Sequence, residues 1–506
     1  MAGLGSLLKE TAIYGLSSIV GRFLNYLLVP IYTAKLSVES GGYGIITNVY
    51  AYVALLMVLL TYGMETTFFR FANKEGEKPM EVYSTTLISV GCSSLMFVTM
   101  VLLLLDPISG WMGYEKHPEY IGMMVTCVAI DAFQAIPFAY LRYQKKAIKF
   151  AALKLLFIFM SILLNICYFV WFPDLYETNP DLISAIYNPQ VGVGYAFAIN
   201  LLCTASITIW FWPELTGIKY KFNKDLWKRM IKYSAPLVLL GLAGILNQTL
   251  DKIIYPFLRP EIVEENGIIV TVNATAELGI YGAASKIAMI MAMITQAFRF
   301  AYEPFVFGKS HDKDNKEMYA KAMKFFIIFT LLAFLGVMFY MDLIQLIIGA
   351  KYRVGLEVVP IVMMAEILMG VYFNLSFWYK LTDETKWGAI FSFCGCMVLF
   401  LVNVLFVPRF GYIACAWAGV AGYGTAMTLS YFVGQKKYPI NYEIKNIFQY
   451  VLLTLMLYGI SVELPSEWNM WLRMGINTLL LLIFIGFMVK KDFPLSQLPI
   501  IGKYFK

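Results

Sequence analysis

The stretch GAIFSFCGCMVLFLVNVLFV, from Gly388 to Val407, carries no charge and no proline and stops at Pro408-Arg409-Phe410-Gly411. Its apolar residues are continuous rather than alternating, which selects a helix over the strand of a membrane barrel. About 20 such residues cross a hydrocarbon core of about 30 Å. The Pro-Arg-Phe-Gly segment after it has the chemistry of a turn.

Working outward, about 14 stretches of this kind run from Thr11 to Lys490 with short polar breaks between them, among them Leu105-Asp106-Pro107 and Phe172-Pro173-Asp174. The composition agrees, with 59% hydrophobic and only 14% charged residues. The fold class expected is therefore an all-α polytopic membrane protein. The first span, Thr11 to Tyr32, has no A-x-A-like cleavage site after it and reads as a retained helix rather than a signal peptide.

Lysine and arginine orient the spans, because basic loops resist translocation. Arg142-Tyr143-Gln144-Lys145-Lys146, the run from Lys219 to Lys232, and that from Lys309 to Lys324 fall on one side when an even number of spans separates them. That side is the cytoplasm, and both termini are expected there. The net charge of +7 comes from this face and does not signal nucleic-acid binding.

Several function classes are excluded. No long extramembrane segment holds a soluble catalytic domain, and no G-x-x-x-x-G-K-[ST] phosphate loop occurs, so ATP hydrolysis is not expected. No cofactor is expected. All seven cysteines lie in apolar spans without a C-x-x-C pair and read as packing residues. His117 and His311 sit in opposite loops, so neither a metal site nor a His relay is expected.

The chain also resembles itself. Tyr43-Gly44 recurs as Tyr281-Gly282, and Ala151 and Asn165 recur as Ala389 and Asn403, always 238 residues on. The partners are separated by an even number of spans, so the halves are parallel repeats related by an axis along the membrane normal. This predicts two six-helix lobes in pseudo-twofold symmetry plus two C-terminal helices. The N-lobe takes 1–218, the C-lobe 219–440, and the C-terminal helices and tail 441–506. Facing duplicated halves are the architecture of alternating-access transporters.

A charge at mid-bilayer costs roughly 2.5 to 3.5 kcal/mol even on the lenient insertion scale, so each one calls for a partner or an aqueous cavity. Ser18, Arg22, Asn25 and Tyr26 share one face of the first span. The seventh span carries Asn247, Gln248, Asp251 and Lys252 toward its external half, and the eighth carries Lys286 in register with Met289, Met293 and Gln296. Asp131 with Gln134, and Glu366 with Gly370 and Asn374, make two more polar faces. Adjacent residues on a helix point about 100° apart, so Asp251 and Lys252 are expected to be poor partners for each other. Each charge can also be read as helix packing, and Glu65, Arg70 and Arg299 as snorkelling from helix ends. Taken together, Arg22, Lys252 and Lys286 open the two halves. They predict one cationic cavity, completed by Asn25, Asn247 and Gln248, suited to phosphate or pyrophosphate. Asp131, Asp251 and Glu366 are the acids deep enough to couple a proton or Na⁺. Glu366 is the better candidate, because Lys252 holds Asp251 ionised.

Gly21-Arg22 and Pro30, Tyr43-Gly44, Tyr62-Gly63-Met64-Glu65 and Phe69-Arg70-Phe71 resemble the opening helices of the polysaccharide transporters. These are the O-antigen type flippases of the multidrug, oligosaccharidyl-lipid and polysaccharide exporter (MOP) superfamily. Ser234-Ala235-Pro236, Asp251-Lys252, Gly279-Ile280-Tyr281 with Lys286, and Asn403 through Pro408 to Gly411 are similar to the later family pattern. That family often has Arg where this chain has Lys252, which keeps the charge and loses the bidentate fork.

The resemblance implies a flippase that moves a polyprenyl-pyrophosphate-linked oligosaccharide from the cytoplasmic to the external leaflet of a bacterial inner membrane. Its implied partners are that substrate, membrane lipid, a coupling ion, and polysaccharide polymerase and chain-length machinery. A multidrug exporter of the superfamily would present an acidic or aromatic cavity, against Arg22 and Lys286. A lipid II flippase would share the cationic cavity, and only substrate tests separate it. A membrane polymerase or glycosyltransferase would carry a sizeable external catalytic loop, whereas the longest external segments here, Pro173 to Gln190 and Arg259 to Glu277, are short and lack paired D-x-D carboxylates.

Overall fold

The computed structural model describes residues 26–265, 268–308, 315–382, 384–465 and 467–492. Helices occupy the predicted spans from the second onward, while most of the first, Thr11 to Tyr32, lies outside the described residues. The helices are α1 (Leu28–Lys35), α2 (Gly42–Thr61), α3 (Pro79–Leu103), α4 (Pro118–Tyr143), α5 (Ala147–Ile166), α6 (Gly194–Trp210) and α7 (Lys224–Leu258). After these come α8 (Ala274–Gly308), α9 (Asn315–Phe339), α10 (Val359–Leu375), α11 (Lys386–Phe410), α12 (Tyr412–Lys437), α13 (Ile444–Val462) and α14 (Met470–Lys491). Eleven spans among the described residues are long and apolar enough to cross a membrane, and α6 is apolar but shorter.

Four features depart from the sequence reading: α11 runs through Pro408 to Phe410 instead of stopping at that proline, Leu105-Asp106-Pro107 opens a further short helix, Leu105–Trp111, and two more concern the fifth span and the loop after α7. Phe172-Pro173-Asp174 does not end the fifth span: a π-helical turn, Cys167–Trp171, carries the chain into a further helix, Phe172–Thr178. The proline sits in the first turn of that helix, where its missing N–H costs nothing. The loop after α7 contains a two-stranded antiparallel hairpin, β1 (Ile262–Glu265) and β2 (Ile268–Thr271), with Val263 opposite Val270.

Contacts divide the chain into two compact units, one running up to Ala283 with Leu399–Cys415 added, the other made of Ala284–Val398 and Ala416–Lys506. In the first unit α2 packs on α7 and α4, and α4 packs on α3 and α6. Tyr62 and Gly63 take left-handed backbone between α2 and the helix Met64–Ala72. This turn brings Met64 and Phe68 into a core with Tyr83, Ile136, Leu226 and Met230. The rings of Tyr83 and Tyr140 stack there at 4.0 Å.

The two Tyr-Gly pairs of the repeat meet at one helix crossing within this unit. A Cβ on Gly44 would lie 1.7 Å from the Thr275 carbonyl oxygen, and one on Gly282 would lie 2.3 Å from Thr47 Oγ1. Close backbone approach through small residues is how helices associate where lipid is as apolar as the side chains. The repeat partners Asn165 and Asn403 make the same bond, each amide donating to the carbonyl four residues back: Ser161 at 2.7 Å and Leu399 at 2.8 Å.

In the second unit α9 is the hub for α10, α13 and α14. Buried Lys324 on α9 donates to both oxygens of Glu443 at 2.9 Å and pairs with Asp492 at 2.8 Å. It thereby ties the start of α13 and the end of α14 to one ammonium, whose hydrogen bonds hold the Glu443 carboxyl below the usual carboxylate range. Asn477 donates to the Phe339 carbonyl at 3.0 Å at the other end of the same helices.

The Gly44 contact sets a test. Gly44→Ala forces a methyl group onto backbone rather than onto a flexible side chain. Overpacking costs about 1–3 kcal/mol where side chains can yield, so a loss at or above that range is expected. The midpoint of thermal unfolding in detergent should fall well below that of Gly475→Ala, where an added Cβ meets nothing within 4 Å.

Candidate functional site

Two clusters of the first unit hold the predicted site residues that are described there. The first is the second half of α7. There Asp251 is buried and Lys252 half-buried, and contrary to the sequence expectation they are partners. Lys252 Nζ lies 3.1 Å from each Asp251 carboxylate oxygen and also donates to the Gln248 carbonyl at 3.1 Å. The lysine stem is long and flexible enough to fold back across the turn that separates adjacent residues. Tyr281 on α8 donates its hydroxyl to Asp251 Oδ2 at 2.7 Å, and the Lys252 ammonium lies 5.3 Å from the centre of its ring. Asn48 on α2 donates to the Lys252 carbonyl at 2.8 Å and accepts from Tyr114 Oη at 2.9 Å. Asn247 is buried and donates back to Ala243, while Gln248 is exposed.

One turn beyond sits a pair that sequence reasoning passed over. Arg259, in the segment read as an external loop, is buried, with its side chain 3% exposed. Its fork grips Glu277 through Nε at 2.8 Å and through Nη2 at 2.9 Å, and its Nη1 reaches the Pro408 carbonyl at 3.3 Å. Tyr255 donates to the same Glu277 carboxylate. Gly411, in left-handed backbone at φ +55°, leaves room for the guanidinium, since a Cβ there would lie 3.3 Å from Arg259 Cζ. The pair closes the stem of the hairpin-bearing loop. The available signal was a charged residue at each end of an otherwise hairpin-like segment.

The second place is on α4 to α6. Asp131 accepts from Thr204 Oγ1 at 3.2 Å, with Cys127 Sγ at 3.9 Å. Gln134 donates to the Thr204 carbonyl at 2.7 Å and to Thr208 Oγ1 at 2.8 Å. Lys154, which the sequence reading did not single out, lies on α5 with its ammonium 4.1 Å from the centre of the Phe138 ring, and it is an electrostatic neighbour of Asp131. Glu65 forms an ion pair with Arg142 at a helix end, and Arg70 covers the Tyr233 ring at 4.1 Å.

Of the remaining predicted residues, Arg22 and Asn25 lie outside the described residues. Lys286 and Glu366 are half-buried members of the second unit. There Asn374 donates back to the Gly370 carbonyl at 3.0 Å, and Arg299 lies over the Phe373 ring at 4.9 Å.

The sequence pattern of the polysaccharide biosynthesis protein family matches residues 7–301, more than half of the chain. Lsg locus putative protein 1 of Haemophilus influenzae is 18% identical over 446 residues, which cover 85% of this chain and 98% of that protein. Among solved structures, the lipid II flippase MurJ in its inward closed conformation matches with a TM-score of 0.70 at 15% identity, covering 94% of this chain and 98% of that one. An inward-facing multidrug resistance MATE family transporter of the MOP superfamily matches with a TM-score of 0.60 at 16% identity, covering 82% and 93%. The fold is thus that of the MOP exporters. The chain belongs to the polysaccharide biosynthesis protein family.

The Arg259–Glu277 pair is testable by unpairing it. Removing one partner of a buried ion pair costs about 3–5 kcal/mol, whereas replacing both by apolar residues of similar volume is often neutral. Glu277→Ala should lower the unfolding midpoint in detergent sharply, and the double replacement Arg259→Met with Glu277→Leu should recover most of the loss.

Proposed function

We propose that the protein is a flippase that carries a polyprenyl-pyrophosphate-linked oligosaccharide from the cytoplasmic to the external leaflet of a bacterial inner membrane. The product feeds surface polysaccharide biosynthesis, whether lipopolysaccharide O-antigen or capsule and exopolysaccharide. The observation that carries this reading is membership of a polysaccharide biosynthesis family in a chain that is nearly all membrane helix. A transporter is the role such a chain can fill without a soluble catalytic domain. Both termini lie in the cytoplasm, and lobes 1–218 and 219–440 rock about the substrate while 441–506 rides outside them. The polysaccharide polymerase and chain-length machinery are the partners that receive the product.

In this reading Arg22, Lys252 and Lys286, with Asn25, Asn247 and Gln248, meet the pyrophosphate and the first sugars. Crossing contacts such as Gly44 on Thr275 and Asn48 on Lys252 seal the external end while the cavity is open to the cytoplasm. Asp251 is engaged by Lys252 and by the Tyr281 hydroxyl. This leaves Asp131 and Glu366 to take a coupling proton or Na⁺, and Glu366 is the one taken to the test.

Reconstituted vesicles loaded with fluorescent lipid-linked oligosaccharide provide the test. Lys286→Ala and Arg22→Ala should each abolish translocation with insertion intact, and Arg22→Lys should keep part of it. Under imposed pH or Na⁺ gradients wild type should respond and Glu366→Gln should not. An unchanged gradient response in Glu366→Gln would remove that residue from coupling, and translocation of lipid II in preference to the polysaccharide unit would overturn the substrate assignment.

A further inference from the structure

We propose that the connection from α6 to α7 is a binding site for the headgroups of anionic phospholipids. The reading is independent of what the protein transports, since it needs only that these helices lie in a bilayer.

The connection is held rigidly. After α6 comes the short helix Trp212–Thr216, and residues 217–223 have no regular structure before α7 begins at Lys224. That irregular segment is nevertheless pinned to the start of α3. The Lys221 N–H donates to Ser84 Oγ at 2.7 Å, and Ser84 Oγ returns a bond to the Lys221 carbonyl at 3.1 Å. The Asn223 N–H donates to Thr85 Oγ1 at 3.2 Å, and its side chain donates to Glu81 at 2.8 Å. Tyr83 Oη donates to the Glu214 carbonyl at 3.2 Å. Ser84, Thr85 and Tyr83 are fully buried. A tether joining two helices needs no such anchorage, and a surface that must present side chains in fixed places does.

What it presents is basic and aromatic in alternation. Lys219, Lys221, Lys224 and Lys228 are exposed. Interleaved with them, Tyr220 is 55% and Phe222 44% exposed, and Trp210 and Trp212 at the end of α6 are 58% and 68% exposed. Aromatic rings at a helix end favour the headgroup level of a bilayer, and lysines beside them gain from anionic lipid within a Debye length.

Charge accounting isolates the cations. Glu214, itself buried, is taken by Lys149 at 2.6 Å and Lys146 at 3.9 Å. Glu81 is taken by Lys221 at 3.3 Å, and Glu77 by Arg229. The nearby acids except Asp225 are therefore spent, and no ion pair among the described residues engages Lys219, Lys224 or Lys228. A row of unneutralised ammonium groups beside exposed aromatic rings suits a phosphate attached to an acyl chain better than a soluble anion.

The test uses the full-length protein in nanodiscs of equal parts phosphatidylcholine and phosphatidylglycerol, with retained lipid counted by native mass spectrometry. Wild type should retain phosphatidylglycerol in excess. The excess should fall by up to about fivefold for each lysine removed in Lys219→Gln, Lys224→Gln and Lys228→Gln combined. A control with the same charge loss, Lys386→Gln, Lys436→Gln and Lys445→Gln, should keep it. These are exposed residues, and matching unfolding midpoints would show that both variants fold. No excess in wild type, an excess unchanged in the first variant, or equal loss in both variants would overturn the proposal. So would displacement of phosphatidylglycerol by millimolar inorganic pyrophosphate, which would make this a site for the diphosphate group instead.

Discussion

An ionised or polar group in a hydrocarbon layer has no water to turn to, so its partners must come from the protein. The structure meets this demand in two ways. Some amides bond their own helix: Asn165, Asn247, Asn374 and Asn403 each donate to the carbonyl four residues back, whereas Asn48, Gln134 and Asn477 donate to a neighbouring helix. Charges recruit a second element instead. Asp251 draws in Lys252 and Tyr281, Arg259 draws in Glu277, and Lys324 draws in Glu443 and Asp492. A bond back along one helix does not by itself place a neighbour, while a bond or ion pair between elements fixes where they must meet. Helix contacts that carry ion pairs are therefore the ones the sequence specifies most sharply.

The glycine crossing complements this. Dispersion contacts between helices compete with equally good contacts to lipid, so an approach close enough to exclude lipid gives the contact its specificity. Gly44 and Gly282 provide that approach from both sides of one crossing, and the Asn48 bond to the Lys252 carbonyl lies one turn along α2. A packing contact and a polar contact thus share one short stretch of helix. The residues of that stretch at 43–44 and 281–282 are those that repeat along the chain.

Much of this was legible in the sequence because hydropathy is a local property. Apolar runs placed the helices from α2 onward, though α7, α8 and α9 extend well past their runs at a polar end, and the repeated Tyr-Gly pair showed the duplication without showing that its two copies meet. What could not be read were relations between residues whose distance depends on side-chain flexibility or on a returning loop. The direction of Cβ vectors argued against an Asp251–Lys252 pair, and the freedom of four methylenes overruled it. Arg259 and Glu277 looked like loop charges because a hairpin that closes on its own stem leaves only a weak pattern. Lys154 was missed because it falls near the end of its span, where lysines commonly snorkel. The proline at position 173 suggested a break because a π turn before it has no reliable sequence signature.

The Asp251–Lys252 pair changes what a cation at position 252 can do. An ammonium group has three hydrogens and no acceptor, and here the two Asp251 oxygens and the Gln248 carbonyl lie within reach of all three. An anion arriving at Lys252 finds its donors engaged and must displace a carboxylate rather than fill a vacancy. A phosphate carries more charge and more acceptor oxygens than a carboxylate, so the exchange favours phosphate only if Asp251 keeps a partner of its own. Tyr281 supplies one, since its hydroxyl donates to Asp251 Oδ2 independently of the lysine. The guanidinium of an arginine at this position would have a rigid planar fork, which cannot fold back on its neighbour as readily. Lysine folded back on Asp251, with the tyrosine beside it, is thus a cation already paired within the protein rather than a standing positive charge.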